Sequence, residues 1–256
     1  MRIPLVTVAP YLDKVKVALA PTIDVAQYPF SLSIIKNLKE ISFPSQVTFF
    51  VGENGTGKST ILEAIAQNAG FGPEGGSKNI YFKTSLENTY AGVEELAKCC
   101  TLSWRIKPKD GYFFRAESFF NVANRIDEIA KHDFSIYEYY GGKSLHEQSH
   151  GESFLAFFKN RVHTGGFFIL DEPEAALSPQ RQLSLLAIIH ELCRYSQTQF
   201  IIATHSPMLL AYPGATIYSC DTGVLETIAY VDTQHYQITK NFLDNPERYL
   251  RYLFEE

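Results

Sequence analysis

Eight consecutive residues, Gly52-Glu53-Asn54-Gly55-Thr56-Gly57-Lys58-Ser59, have the types and spacing needed to hold a chain of phosphates. Three glycines allow the backbone to curl so that successive N–H groups point inward at an anion, and a helix N-terminus adds its partial positive charge. Lys58 would then reach the β- and γ-phosphates, and the Ser59 hydroxyl, followed by Thr60, could ligate Mg²⁺. A second stretch, Asp171-Glu172, ends the apolar run Gly166 to Leu170. Asp171 can hold Mg²⁺ through water, while Glu172 orients or deprotonates an attacking water. Taken alone, the pair could equally end a strand and cap the next helix.

These groups have to be carried by particular elements. Val47 to Val51 is an apolar strand leading into the loop, and a helix is expected from about Ser59 through Ala69, with Ile61, Leu62, Ile65 and Ala66 on one face. The run ending at Asp171 reads as a buried parallel strand. Gln199 to Ala203 reads as another, and it leads into Thr204, His205, Ser206 and Pro207. Between the two lies Glu174-Ala175-Ala176-Leu177-Ser178-Pro179, where Ser178 as N-cap and Pro179 at the first helical position mark a helix start. Upstream, Ser149 and Gly151 precede an apolar helix expected over Ser153 to Arg161, whose N-terminus could present N–H groups and a hydroxyl to a phosphate.

In that order along the chain, these segments resemble the ABC-type ATPases. The resemblance makes Gln148-Ser149-His150-Gly151-Glu152-Ser153 the signature sequence, which contacts the γ-phosphate bound to the other subunit through Ser149, Gly151 and Glu152. It makes residues 174–179, with Ser178, the D-loop, and His205 the switch histidine that bonds to the γ-phosphate. Ser-His-Gly-Glu departs from the transporter form Ser-Gly-Gly-Gln and looks more like the soluble branch that includes the SMC, RecF and OLD ATPases. The chain is also similar to compact bacterial AAA/ABC-type ATPases, recognisable by residues 52–59 and 145–153. One position departs from the family pattern: the segment Gly111 to Ser118 lacks the glutamine that ligates Mg²⁺, so that either Glu117 or Ser118 substitutes or the contact is absent.

At 256 residues the chain has room for one α/β domain with a sizeable core and not for a second catalytic domain. The expected fold is a P-loop NTPase of ABC type over residues 1–256, with a helical signature lobe inserted at 118–162. Apolar runs at Ile80 to Phe82, Leu102 to Ile106 and near Phe113 suggest a peripheral antiparallel sheet. Ala215 to Ser219 and Val224 to Val231 read as two late strands, with turns at Gly214 and Asp221-Thr222-Gly223. A C-terminal helical segment, Thr233 to Phe254, is broken near Asn245-Pro246.

Other function classes lose ground on composition. About ninety residues between Lys58 and Ser149, without heptads, exclude long coiled-coil arms. No run of eighteen apolar residues and no secretory h-region is visible, and the four cysteines form no metal-ligand spacing, so a reduced cytoplasmic chain is expected. A net charge of −5 gives no global basic footprint for nucleic acid. Tyr28 or Phe30 could stack on adenine. The resemblance implies ATP and Mg²⁺ as cofactors and an ATP-dependent homodimer. Its closure would drive a conformational change in a partner protein or a nucleic-acid process; the alternatives are an ATP-latched regulatory or interaction module for a separate effector such as a nuclease, and the energy subunit of an ABC transporter.

Overall fold

A computed structural model describes residues 9–77, 87–116, 119–140, 142, 144–147, 155, 158 and 165–254. Its centre is a six-stranded sheet in the order β5-β6-β7-β3-β8-β9. The strands are β3 (Val47–Val51), β5 (Gly111–Arg115), β6 (Phe167–Asp171), β7 (Gln199–Ala203), β8 (Thr216–Ser219) and β9 (Glu226–Thr227). Five run parallel, and β9 closes the edge antiparallel to β8. Every residue of β3, β6 and β7 is buried. A parallel strand covered on both faces must be apolar throughout, and alternate side chains then enter opposite layers. Phe50, Ile169 and Ile201 accordingly enter one core, while Phe49, Leu170 and Ile202 enter the other.

The first layer contains α2 (Lys58–Asn68), α3 (Glu87–Cys99) and a three-stranded antiparallel sheet. That sheet orders β2 (Glu40–Ser42), β1 (Leu12–Val17) and β4 (Cys100–Trp104), with α1 (Ser33–Asn37) in the connection from β1. A clip joins it to the central sheet: the Leu12 N–H donates to Gln199 Oε1 at 2.8 Å, and Gln199 Nε2 donates to the Leu12 carbonyl at 3.1 Å. The second layer is built on α4 (Phe119–Ala130), α5 (Pro179–Tyr195) and α6 (Pro207–Leu210). Two further helices, α7 (Gln234–Asp244) and α8 (Pro246–Phe254), follow β9 and bury none of their own residues.

The peripheral antiparallel sheet exists, but one expected member belongs elsewhere. The segment at Phe113 is β5, which pairs parallel with β6 in the central sheet. An apolar run does not reveal its partner, and burial on both faces is what the run required. Leu102 to Ile106 is β4, shifted to Cys100–Trp104, and Ile80 to Phe82 lies outside the described residues. The expected strand Val224 to Val231 shrinks to Glu226–Thr227, since Tyr230–Asp232 forms a 3-10 turn. The C-terminal break falls at Asn245 as expected. Between β5 and β6 the chain leaves the sheet, and its described elements there are helical: α4 and 3-10 segments at Phe134–Tyr140 and Leu145–Glu147.

Candidate functional site

The loop after β3 turns through Gly52, Gly55 and Gly57, whose φ values are +143°, +82° and +98°. At Gly57 a Cβ would come within 2.7 Å of Ile34 Cγ2, so both φ and space require glycine at the helix entry. Glu53, Asn54 and Gly55 are exposed at the loop's crest. The loop is pinned by Asp221, just past β8, whose Oδ1 accepts from the Glu53 N–H at 2.8 Å. Thr56 Oγ1 donates to the Glu53 carbonyl at 2.9 Å. Thr60 is buried and bonded to the Tyr28 hydroxyl at 2.9 Å.

Lys58 opens α2 with its side chain curled over the loop. Its Nζ donates to the carbonyls of Gly52 at 2.6 Å and Glu53 at 2.9 Å. Burial pushes the ammonium below the usual lysine range, against the opposing pull of Cys220, Glu172, Asp171 and Asp221. Ser59 Oγ donates to Asp171 Oδ1 at 2.9 Å, joining α2 to the C-terminal end of β6. A serine hydroxyl beside a buried carboxylate is a hard-oxygen pair. It fits Mg²⁺, which keeps several waters and takes only one or two protein ligands besides phosphate. Among the described residues no group of three or more His, Cys, Asp or Glu forms a dedicated metal cage.

Glu172 follows Asp171 in the left-handed region, at φ +51° and ψ +51°, immediately before Pro173. A β-carbon disfavours that region, and a following proline disfavours it further. Its N–H donates to the Ala203 carbonyl at the end of β7, which helps to hold the turn. The carboxylate Oε1 lies 3.5 Å from His205 Nε2. His205 itself is set by Glu174, whose Oε1 accepts from the His205 N–H at 2.5 Å. Burial raises the Glu174 carboxyl above the usual range and lowers His205 below the usual imidazole value.

The structure thus brings together Lys58, Ser59, Asp171, Glu172 and His205. Ser178 lies apart from these contacts: it is exposed, occupies the N-cap of α5 and makes no side-chain cap bond. Ser149, Gly151 and Glu152, together with Gln148, Glu117 and Ser118, lie outside the described residues. Phe30 is buried in the first core and cannot stack on a base, whereas Tyr28 is exposed.

Four residues at this site were not singled out from sequence for their chemistry. Arg115 ends β5 in register with Asp171; its guanidinium bonds Glu63 of α2 at 2.9 Å and approaches Asp171 Oδ2 at 3.7 Å. In the sequence Asp221 reads as a turn residue, and Glu174 only as the first residue of the D-loop match, with no chemistry of its own. His235, near the start of α7, places Nε2 2.9 Å from His205 Nδ1. Only a charged residue ending an apolar run, as at Arg115, could have signalled any of these.

A family model for the AAA domain matches residues 30–159, and a second AAA-domain model, described with the AbiEii toxin of type IV TA systems, matches residues 153–211. No curated protein matches the chain. Among solved structures, cbiO1 from Clostridium perfringens, part of the ABC transporter complex cbiONQ, is 19% identical over 86% of this chain and 92% of its own, at a TM-score of 0.48. The SMC head domain from Thermotoga maritima is 18% identical over 85% and 98%, at 0.41. The ATP-binding cassette MJ1267 in its ADP conformation is 18% identical over 84% and 91%, at 0.43.

Proposed function

The chain belongs to the AAA-domain family, and from that premise we propose that it hydrolyses ATP with Mg²⁺ at a site shared between two copies arranged head to tail. The observation that carries the reading is the junction of the loop's helix with the acidic strand, where Ser59 meets Asp171 and Glu172 meets His205. In this reading residues 1–256 form one nucleotide-binding domain, and 118–162 its signature lobe.

The loop amides from Asn54 to Ser59 surround the β-phosphate, and Lys58 leaves the Gly52 and Glu53 carbonyls to meet the β- and γ-phosphates. Exchanging neutral carbonyls for anionic oxygens strengthens each bond it makes. Ser59 and Asp171 hold Mg²⁺, which neutralises charge developing on the phosphates when bound. Glu172 aligns and deprotonates the attacking water, and the His205 Nε2–H donates to the γ-phosphate. Ser149 to Glu152 of a second copy complete the shell that a single loop leaves open to water. Closure on ATP and opening after hydrolysis would drive a partner protein or a nucleic-acid process. No described helix is long and apolar enough to cross a membrane.

The test is the solution mass of the Glu172→Gln protein with and without Mg·ATP, by size-exclusion chromatography with light scattering. Doubling of the mass with ATP, beside wild-type protein that turns ATP over and Glu172→Gln protein that does not, is the expected result. ATP bound and hydrolysed at an unchanged monomer mass would overturn the shared site. Undiminished turnover by Glu172→Gln would remove the role given to that carboxylate.

A further inference from the structure

His205 is held on three sides. Its N–H bonds Glu174, its Nε2 faces the Glu172 carboxylate at 3.5 Å, and its Nδ1 meets His235 Nε2 at 2.9 Å. The rings lie 5.0 Å apart with planes inclined at 56°. His235 is itself placed by a helix cap. Thr233, buried at the N-cap of α7, accepts from the Tyr236 N–H and donates to the Tyr230 carbonyl at 2.8 Å, and the rings of Tyr230 and Tyr236 lie 4.6 Å apart.

A neutral imidazole carries one ring proton, and a bond from one nitrogen decides what the other can do. Two arrangements of the pair are possible. If His205 Nδ1–H donated to His235, the bare Nε2 of His205 would confront the Glu172 carboxylate, acceptor against acceptor. The buried His235 Nδ1–H would also find no acceptor, since that nitrogen has no hydrogen-bond partner among the described residues. If instead His235 Nε2–H donates to His205 Nδ1, then His205 carries its proton on Nε2, facing the carboxylate. Neither His205 Nε2 nor His235 Nδ1 has a hydrogen-bond partner among the described residues, so the unpaired N–H in this arrangement is the one that faces the Glu172 carboxylate at 3.5 Å, where a proton is favoured over a lone pair.

We propose that His235 is a positioning residue: by donating to Nδ1 of His205 it keeps the proton on Nε2, the form that can donate to a phosphate oxygen. A backbone carbonyl or carboxylate at the same place would impose the opposite tautomer on a neutral ring. Burial lowers both histidines below the ordinary imidazole value, so the neutral pair persists at neutral pH, although Asp221 and Glu53 pull His235 upward. The phosphate-facing role of His205 rests on the ATPase reading above. The tautomer assignment rests on the geometry alone. It follows that α7, which lies beyond the sheet and buries none of its residues, contributes a group that sets the hydrogen bonding of the site.

The experiment uses the full chain with ¹⁵N-labelled histidine. Two-bond proton–nitrogen correlation at pH 7.5 without nucleotide is expected to show His205 with a bare Nδ1 and a protonated Nε2. His235→Ala should shift His205 to a mixture of tautomers, and His235→Gln, whose amide Nε2 still donates, should keep the wild-type pattern. In ATP turnover, His235→Ala should lower kcat roughly tenfold with little change in KM, the size typical of losing a partner that orients a reacting group, and His235→Gln should recover most of it. A protonated Nδ1 on wild-type His205 would overturn the proposal, as would turnover by the Ala and Gln variants that is equal. If no variant, wild type included, hydrolyses ATP, the ATPase reading fails, and the tautomer pattern still decides for or against His235.

Discussion

Ser59 and Asp171, 112 residues apart in sequence, are joined by a 2.9 Å hydrogen bond between the start of α2 and the end of β6. If the pair holds the metal, Ser59→Ala should abolish the difference between nucleotide affinity in Mg²⁺ and in EDTA while the fold is retained. Isothermal titration in the two buffers checks this. A variant with the wild-type difference would show that the hydroxyl is not a metal ligand.

Lys58 is buried and bonded to two loop carbonyls, so its ammonium bears a desolvation cost while no phosphate is bound. Lys58→Ala should weaken ATP binding roughly 10–100-fold, the worth of one or two charge-assisted bonds. Thermal stability without nucleotide should stay equal to wild type or rise. Fluorescent-nucleotide titration and calorimetry read the two effects, and unchanged affinity would remove Lys58 from the phosphate site.

Glu172 combines a left-handed backbone with a following proline. Replacing it with glycine removes the steric cost and should stabilise the fold by about 1 kcal/mol, while hydrolysis falls to background. Urea denaturation beside an ATPase assay tests the pair of outcomes. Lower stability in the glycine variant would mean that the side chain contributes more to the turn than the strain costs.

Both site histidines sit below the ordinary value of 6.5, mainly through burial. A group whose folded value is depressed binds fewer protons folded than unfolded between the two values. Stability is therefore full above about 6.5 and declines as pH falls through the window below it. Denaturation midpoints from pH 8 to pH 5 should fall over that window, and less steeply in a His205→Gln, His235→Gln double variant. Identical profiles would show that the rings titrate in the folded state as they do when unfolded.

Arg115 and Glu63 form a nearly buried pair, with side-chain exposures of 13% and 6%. Burial raises the Glu63 carboxyl, and the Arg115 charge opposes that rise. Arg115→Met should cost about 3 kcal/mol by stranding the carboxylate, and Glu63→Met in the same chain should recover most of it. A double-mutant cycle with no coupling would sink this account.

The strands that hold the site were legible because each is an apolar run ended by a residue that cannot continue it. Gly52 ends β3, and Asp171 is the last residue of β6. The strands β1 and β2 were not read. Leu12–Val17 mixes lysines with apolar residues, and Glu40–Ser42 is only three residues long; both exist through pairing with each other and with β4. The contacts of Arg115 with Asp171 and of His235 with His205 depend on which strands neighbour one another and on α7 meeting the segment that follows β7. No local spacing encodes that. The glycines of the loop were readable for the opposite reason, since their positive φ is a local requirement.

The placement of β3 also constrains how the protein can be made. Its two neighbours, β7 and β8, begin 152 and 169 residues later in the chain, and the acidic strand β6 begins 120 residues after it. Such long-range pairing slows folding, because a large loop must close before any contact is gained. The phosphate loop is therefore synthesised well before either neighbour, and its strand has no partner until translation passes residue 203. Until then the apolar strand Val47–Val51 is an unpaired edge, the kind of segment that chaperones shield.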